Sequence, residues 1–181
     1  MVGGRRQERR QEERRGGSTA THYRMRQELL SIGDDYWIED EHGERVLKVD
    51  GKALRLRKTL VFEDAHGNEL LRIQERMLRL RDTMEIEDRY GNVVATVKKA
   101  MVTPFRERWT VKVADGPDLE VKGNILDHEY TIEDGRMAVA AVSKKWFRVA
   151  DTYGVEVAAG QNPTLLLAVT AVVDTMAHPA R

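Results

Sequence analysis

Two tandem copies of a 24-residue unit decide the fold: ALRLRKTLVFEDAHGNELLRIQER at residues 53–76 and MLRLRDTMEIEDRYGNVVATVKKA at residues 77–100. Nine of the 24 positions are identical, and the alignment needs no gap. The Glu-Asp pair of this unit recurs upstream in residues 29–52, and a shorter copy, YTIEDGRMAVAAV, occupies residues 130–142. The repetition predicts one supersecondary unit that is used several times along the chain.

The pattern inside each unit is that of a β-hairpin. Apolar and charged residues alternate in Leu54–Arg57 and Leu78–Arg81, and again at 109–113 and 153–157, as they do in a strand with one buried face. A glycine follows each Glu-Asp pair. The aspartate can bond the backbone two residues on, and the glycine supplies the left-handed conformation that closes a hairpin with a bulge. Asp134-Gly135 predicts a tighter, two-residue turn.

This spacing predicts about a dozen short strands between residues 22 and 158. A propeller or a solenoid would also be repetitive, but these units are too short for a four-stranded propeller blade. Antiparallel strands in such number must hide their edges, and closure into a barrel does so completely. The expected fold class is therefore mainly β, a closed antiparallel barrel.

The last part of the chain breaks the strand pattern and predicts one helix. Asn162-Pro163 suits an N-cap followed by the first helical position, and from Leu165 to Val173 only Thr170 is polar. A helix that is apolar on every side is buried or spans a membrane. Residues 163–178 give about 24 Å of helix, whereas a span needs about 20 apolar residues. Because a barrel of about twelve strands is wider than its own side chains can fill, we predict that this helix is threaded through it.

Several stretches of the chain resemble a known family. They are YRMRQELLSIGDDYWIEDEHGE, the LRLRDTMEIED repeat, GNILDHEYTIEDG, KKWFRVADTYGVEV and the apolar LLLAVTAVV. On these residues the body of the chain, from about 22 to 178, is similar to the LURP-one-related family of the Tubby C-terminal-like superfamily, which also includes phospholipid scramblases. The resemblance implies a closed antiparallel barrel around a central hydrophobic helix. It also implies lipid head groups as a ligand class, because Tubby-type members bind phosphoinositides through basic surface residues. The resemblance does not, however, assign that role to any individual residue of this chain.

Composition limits the other classes of function. The 181 residues include 30 basic, 30 acidic and no cysteine, which excludes disulfides, zinc–thiolate sites, iron–sulfur clusters and thiol nucleophiles. The balanced charge argues against specific nucleic-acid binding. Residues 1–21, rich in Arg and Glu and poor in hydrophobes, predict a disordered tail, and residues 22–181 a single barrel domain. No apolar stretch follows the basic residues of the tail as it would in a signal peptide, so we expect a cytoplasmic protein, with peripheral membrane contact left open.

Outward basic positions are the candidates for ligand binding, because they could line a patch that meets anionic head groups. The candidates are Arg79, Arg81, Lys98, Lys99, Lys144 and Lys145. The competing interpretation is that outward strand positions must simply be polar and that lysines protect a sheet from aggregation. The three tryptophans, Trp37, Trp109 and Trp146, are expected in strands as core or barrel-rim aromatics.

No catalytic motif is present. The serines lack the setting of a nucleophile elbow, and there is no glycine-rich phosphate loop. His128-Glu129 begins like a metalloprotease motif, but position 132 is Ile. The repeated Glu-Asp pairs could suggest calcium, yet calcium needs six to eight oxygens at one point, and repeated turns spread around a rim. We therefore predict no enzyme, no metal and no cofactor.

The leading hypothesis is a non-enzymatic binding or scaffold module, acting as a monomer on an anionic phospholipid or a protein partner. Two alternatives stay open. A scramblase-like, membrane-associated lipid-handling protein would require Leu165–Val173 to leave the barrel. An enzyme with a site at the barrel mouth would require titratable groups, such as Asp127, His128 and Glu129, to converge in a pocket.

Overall fold

Twelve antiparallel strands close on themselves in the structure, a computed structural model that describes residues 20–26, 35–50, 59–75, 83–103, 106–147 and 151–178. The strands are β1 (Thr21–Arg26), β2 (Tyr36–Asp40), β3 (Arg45–Asp50), β4 (Thr59–Glu63), β5 (Glu69–Glu75), β6 (Thr83–Asp88), β7 (Val93–Thr103), β8 (Arg106–Val113), β9 (Leu119–Asn124), β10 (Glu129–Glu133), β11 (Ala138–Ser143) and β12 (Thr152–Val157). Each strand pairs with its sequence neighbours, and β1 pairs with β12. The predicted closed barrel is confirmed.

The single helix of the described chain, α1 (Pro163–Ala177), fills this barrel. Its N-cap is the one that the sequence predicts, because the Asn162 side chain accepts a hydrogen bond from the backbone N–H of Leu165 at 3.1 Å. Every residue from Leu166 to Thr175 is buried, and α1 packs against β5, β6, β7 and β12. The helix ends one residue before the predicted boundary. Within the described residues, no helix has the length and apolar character needed to cross a membrane.

The Glu-Asp-x-x-Gly segments form the bulged hairpins that their sequence predicts. At the β6–β7 turn, Asp88 Oδ1 accepts the backbone N–H groups of Tyr90 at 2.8 Å and Asn92 at 2.9 Å. Gly91 follows with φ of 84°, and the ladder shifts register between Ile86 and Glu87. The turns at Asp40 and Asp64 repeat this arrangement. These carboxylates are therefore held by their own turns, in keeping with the hairpin role.

The turn between β10 and β11 is one residue shorter, as the sequence predicts. The Asp134 carboxylate accepts the backbone N–H groups of Arg136 at 2.9 Å and Met137 at 3.0 Å. The backbone N–H of Asp134 bonds the Met137 carbonyl, so the two enclosed residues are Gly135 and Arg136.

The up-and-down topology gives the barrel two different ends. The hairpins β2–β3, β4–β5, β6–β7, β8–β9 and β10–β11 lie at one end, which we call the turn end, and α1 begins there. The β9–β10 connection and the β11–β12 connection lie at the opposite end, where α1 finishes. We call this the helix-exit end. It carries both candidate sites described below.

The inner wall follows the predicted alternation, since Trp109, Val111, Tyr153 and Val155 are all fully buried in the core. The outer wall carries ion pairs between neighbouring strands. They are Arg24–Glu39, Lys48–Glu63, Arg108–Glu120 and Lys122–Glu133. Several predictions fall on residues that the structure does not describe. They concern the tail up to residue 19, the alternating segments at 54–57 and 78–81, and the candidate residues Arg79 and Arg81.

The three tryptophans do not share one environment. Trp109 is a core residue on β8, as predicted. Trp37 lies on β2, half-buried, with the Arg45 guanidinium 5.5 Å from its ring centre. The prediction that Trp146 lies in a strand is wrong. It ends a short 3-10 turn, Lys144–Trp146, because the Ser143 hydroxyl accepts the Lys145 N–H and the chain turns there.

Candidate functional site

A buried polar cluster occupies the inside of the barrel at the helix-exit end, and we call it the His–Asp–His cluster: His128, Asp174 and His178. Asp174 is in the last turn of α1, and His178 caps that helix four residues later, on the same face. His128 comes from the β9–β10 turn, where its backbone N–H bonds the Ile125 carbonyl at 3.1 Å. One helix end and one turn thus bring three ionisable side chains together inside a mainly apolar barrel.

Both histidines approach the same carboxylate oxygen. His128 Nε2 lies 2.6 Å from Asp174 Oδ1, and His178 Nδ1 lies 3.3 Å from it. The two imidazole rings are stacked, with centroids 5.1 Å apart and planes 4° from parallel. The side chains of His128 and Asp174 are 2% and 0% exposed, whereas His178 is 22% exposed. The cluster is therefore closed toward the core and reachable through His178.

The backbone of His128 adopts a strained conformation. Its φ is +53°, in the left-handed region that residues other than glycine rarely adopt. This conformation ends the β9–β10 turn and leaves the ring inside the barrel, against Tyr153 at 4.5 Å between centroids. Such strain persists where the surrounding structure imposes it, and it concentrates at functional sites.

Three buried tyrosines surround the cluster: Tyr36, Tyr130 and Tyr153. Burial raises the pKa of each hydroxyl well above its usual value, and the negative charge of Asp174 raises each pKa further. The hydroxyls therefore stay protonated at any physiological pH and can act as hydrogen-bond donors. In the structure, the buried hydroxyls of Tyr36 and Tyr153 and the Nδ1 atom of His128 have no hydrogen-bond partner. Buried polar atoms that lack a hydrogen-bond partner destabilise the folded state.

A second feature lies on the outside of the same end, and we call it the basic–aromatic patch: Arg26, Lys144, Lys145 and Trp146. The 3-10 turn folds onto the outer face of β12, where a Cβ added to Gly154 would come within 2.8 Å of the Trp146 ring. Trp146 remains 40% exposed, and its ring meets His22 of β1 edge-on at 5.4 Å. Arg26, exposed at the end of β1, pairs in register with Thr152 of β12. Two lysines and an exposed indole therefore follow one another in this turn, and Arg26 lies at the same end of the barrel.

Lys145 is tied loosely to the wall of the barrel. Its ammonium lies 3.5 Å from Glu129, with 81% of its side chain exposed. Glu129 also accepts a hydrogen bond from the Ser143 hydroxyl at 2.9 Å. This arrangement places the ammonium at the surface without neutralising it in a tight ion pair.

The four predicted basic residues that the structure describes, Lys98, Lys99, Lys144 and Lys145, do not form one patch. Lys98 is exposed on β7, and the wall from β7 to β11 is four strands wide, about 19 Å at the usual strand spacing. Lys99 is on the inner face, because it pairs in register with Trp109 and its ammonium lies 5.3 Å from that ring centre. The prediction that Lys99 faces outward is therefore wrong: it shares the parity of the buried Val97, two residues earlier.

The three residues proposed for an enzyme at the barrel mouth do not converge. His128 is inside the barrel, whereas Asp127 is exposed and accepts a hydrogen bond from the Asn124 amide at 2.6 Å. Glu129 is on the outer face beside Ser143. At the turn end, a groove of about 280 Å³ beside the start of α1 has no titratable residue in its lining, which consists of Leu70, Leu71, Val94, Asn162, Thr164 and Leu165.

Sequence reasoning missed the His–Asp–His cluster because its members are 46 and four positions apart and belong to no common motif. A usable signal was present. Asp174 and His178 end a helix that is apolar on every side, so any polar residue there must find a partner inside the barrel. The inward position of His128 could not be read from the strand alternation, because it depends on the left-handed backbone of the turn.

Comparison with known proteins places the chain in a family. A sequence profile described as LURP-one-related matches residues 21–174, which covers nearly the whole barrel. No protein with a curated description matches the chain significantly. A protein from Arabidopsis thaliana solved by X-ray crystallography is similar in structure, with a TM-score of 0.66 and 17% identity over 90% of this chain and 94% of that one. At that identity the likeness concerns the fold alone. The match over residues 21–174 carries the assignment: this chain belongs to the LURP-one-related family.

Proposed function

We propose that this protein is a non-enzymatic binding module that attaches to an anionic phospholipid surface through the basic–aromatic patch. The observation that carries the proposal is the composition of that patch. Lys145, with 81% of its side chain exposed, and the half-buried Lys144 directly precede Trp146, whose indole is 40% exposed. Indole rings favour the boundary between head groups and acyl chains, and each lysine near an anionic membrane surface contributes about 1 kcal/mol.

The filled interior of the barrel favours a binding site on its outer surface. The side chains of α1 from Leu167 to Val173 are 0% exposed and occupy the space that an internal ligand would need. The scramblase-like alternative required these residues to leave the barrel, and the structure has them packed inside it, so we do not propose it. We also propose that the module acts as a monomer, because each of the twelve described strands is already paired on both edges.

The test is co-sedimentation of the full chain with vesicles of three compositions: phosphatidylcholine alone, phosphatidylcholine with phosphatidylserine, and phosphatidylcholine with a phosphoinositide. We expect binding to both anionic mixtures that weakens as salt is added, and none to the neutral vesicles. The double variant Lys144→Gln/Lys145→Gln should lose about 2 kcal/mol, or about 30-fold in partitioning.

A matched control comes from two other lysines on the outer face, in β8 and β9. The side chains of Lys112 and Lys122 are 67% and 52% exposed, and they are paired with Asp118 and Glu133. The variant Lys112→Gln/Lys122→Gln changes the net charge by the same amount and should retain binding. Equal losses in the two double variants, or binding of the wild type to neutral vesicles, would contradict the proposal.

A chain that begins at Ala20 tests the contribution of the arginine-rich segment. The segment contains six arginines, which would attract any anionic surface without selectivity. The proposal expects the shortened chain to bind, with the same sensitivity to Lys144→Gln/Lys145→Gln. Binding that disappears with the segment would assign the attraction to those arginines instead.

A further inference from the structure

We propose that His128, Asp174 and His178 form a binding site for a divalent transition-metal ion, and that zinc is the ion its donor set fits best. Two imidazole nitrogens and one carboxylate oxygen are the ligand types that zinc takes in mononuclear protein sites. The three ligand atoms all lie within 4.8 Å of one another. This site is separate from the outer surface proposed above and does not depend on it.

The spacing of the donors suits a small tetrahedral ion. With metal–ligand distances of about 2.0–2.2 Å, neighbouring ligand atoms in a tetrahedron lie about 3.3 Å apart. His178 Nδ1 and Asp174 Oδ1 are already 3.3 Å apart. His128 Nε2 lies 2.6 Å from the same oxygen in a hydrogen bond, so the ion would replace that bond, and the pair would widen by about 0.7 Å. Because the two ring planes are 4° from parallel, one imidazole would also rotate so that both nitrogen lone pairs point at the ion.

The surroundings of the histidines also suit a metal. The second nitrogen of His178, Nε2, lies 3.3 Å from the carbonyl oxygen of Leu126. A metal-bound histidine usually donates its other ring N–H to such an acceptor, which fixes the ring orientation and increases its basicity as a ligand. Asp174 and His178 are four residues apart on one helical face, the spacing that presents two ligands to a single ion.

The cluster is buried, yet an ion can reach it from solvent. A carboxylate that is 0% exposed inside an apolar barrel is costly unless positive charge or hydrogen-bond donors compensate for it. A divalent cation supplies that charge, and the buried tyrosine hydroxyls around Asp174 provide a polar second layer. His178, 22% exposed at the helix-exit end, gives an ion a route from solvent. The ion would then join the end of α1 to the β9–β10 turn.

The experiment uses the full chain, freed of metal with a chelator that is then removed. Titration with Co²⁺ should produce visible absorption bands of a low-symmetry cobalt site, saturating at one ion per chain, and Zn²⁺ should abolish those bands by competition. Zinc should also raise the melting temperature in a concentration-dependent manner, because it binds the folded state. Failure of the wild-type chain to bind either ion would overturn the proposal and leave the cluster as a structural hydrogen-bond network.

Two variants assign the ion to this site. His178→Ala removes a partly exposed ligand at the end of α1 and should weaken binding at least about tenfold. Asp174→Asn keeps the size of the carboxylate side chain while removing its charge, so it tests the site even if His178→Ala proves unstable. Unchanged affinity in the variant that folds would overturn the proposal.

His22 provides the matched control. Its ring nitrogens lie 3.5 Å from Glu41 and 2.9 Å from Glu156 on the outer wall, so it is a competing imidazole–carboxylate grouping that involves two carboxylates. His22→Ala should retain one ion per chain with unchanged affinity. A loss of binding in His22→Ala, with binding retained in His178→Ala, would place the ion outside the barrel and refute the inner site.

Discussion

Leu167 lies on α1 at the centre of the barrel, and its truncation tests whether this helix is the core of the fold. The side chain is 0% exposed, and the barrel around it closes through twelve continuous strand pairings. A wall closed in this way cannot collapse into a cavity as an open layer could. We therefore place the cost of Leu167→Ala in the upper part of the usual range, about 4 kcal/mol.

The assay is thermal and urea unfolding of the wild type and two variants. In a chain of this size, 1 kcal/mol corresponds to about 2–4 °C, so Leu167→Ala should lower the melting temperature by about 8–16 °C. Leu126→Ala is the matched control, because the same side chain is removed from a residue that is 60% exposed at the helix-exit end, and it should change stability by less than about 0.5 kcal/mol. Equal effects in the two variants, or no measurable effect of Leu167→Ala, would refute a helix that supports the wall.

The remaining predictions concern the turns. Gly123→Ala should destabilise the protein by about 2 kcal/mol or more, because φ is +132° and a Cβ would lie 2.6 Å from the Glu129 carbonyl oxygen. Gly43→Ala is the control: its φ is +78° but a Cβ there would have nothing within 4 Å, so it should cost less stability in the same urea titration. Asp88→Ala should lower stability at neutral pH, and Asp88→Asn less so, since the amide oxygen can still accept the turn N–H groups. Hydrogen bonds, first from the Asn92 side chain, lower the pKa of Asp88 in the folded state, so its contribution is present above about pH 4 and is lost as the pH falls through that lowered pKa. The wild type and Asp88→Ala should therefore have similar stabilities in acid. A difference in stability that grows as the pH falls would contradict this role of the Asp88 carboxylate.

The architecture follows from local signals in the sequence. Alternation predicted which residues of β8 and β12 face inward, and the Asp-x-x-Gly spacing predicted the bulged turns, because each depends on residues only a few positions apart. The Asn162-Pro163 pair located the start of α1 for the same reason. The position of the helix inside the barrel was predicted from two quantities. A barrel of about twelve strands is wider than its own side chains can fill, and the helix is too short to span a membrane.

The candidate sites could be predicted only in part, because they depend on where separate elements meet. Lys98-Lys99 and Lys144-Lys145 look equivalent in the sequence. The first pair, however, lies within β7, where alternation turns Lys99 inward, while the second pair lies in a turn after β11. Trp146 looked like a strand residue because the Ser143 cap, which ends β11, is a single hydrogen bond that no periodicity reveals.

The two proposed sites lie on opposite faces of the same strand end, which makes their tests independent. His128 and Glu129 are consecutive, and the first is inside the barrel against Asp174, whereas the second is outside against Ser143 and Lys145. Neutralising Lys144 and Lys145 removes charge from the outer face only, so the Lys144→Gln/Lys145→Gln variant should bind cobalt as the wild type does. Loss of the inner ligand in His178→Ala leaves Lys144, Lys145 and the exposed indole in place, so that variant should retain binding to anionic vesicles. If either variant lost both activities, the two faces would be coupled through the β9–β10 turn, and the assumption of separate sites would fail.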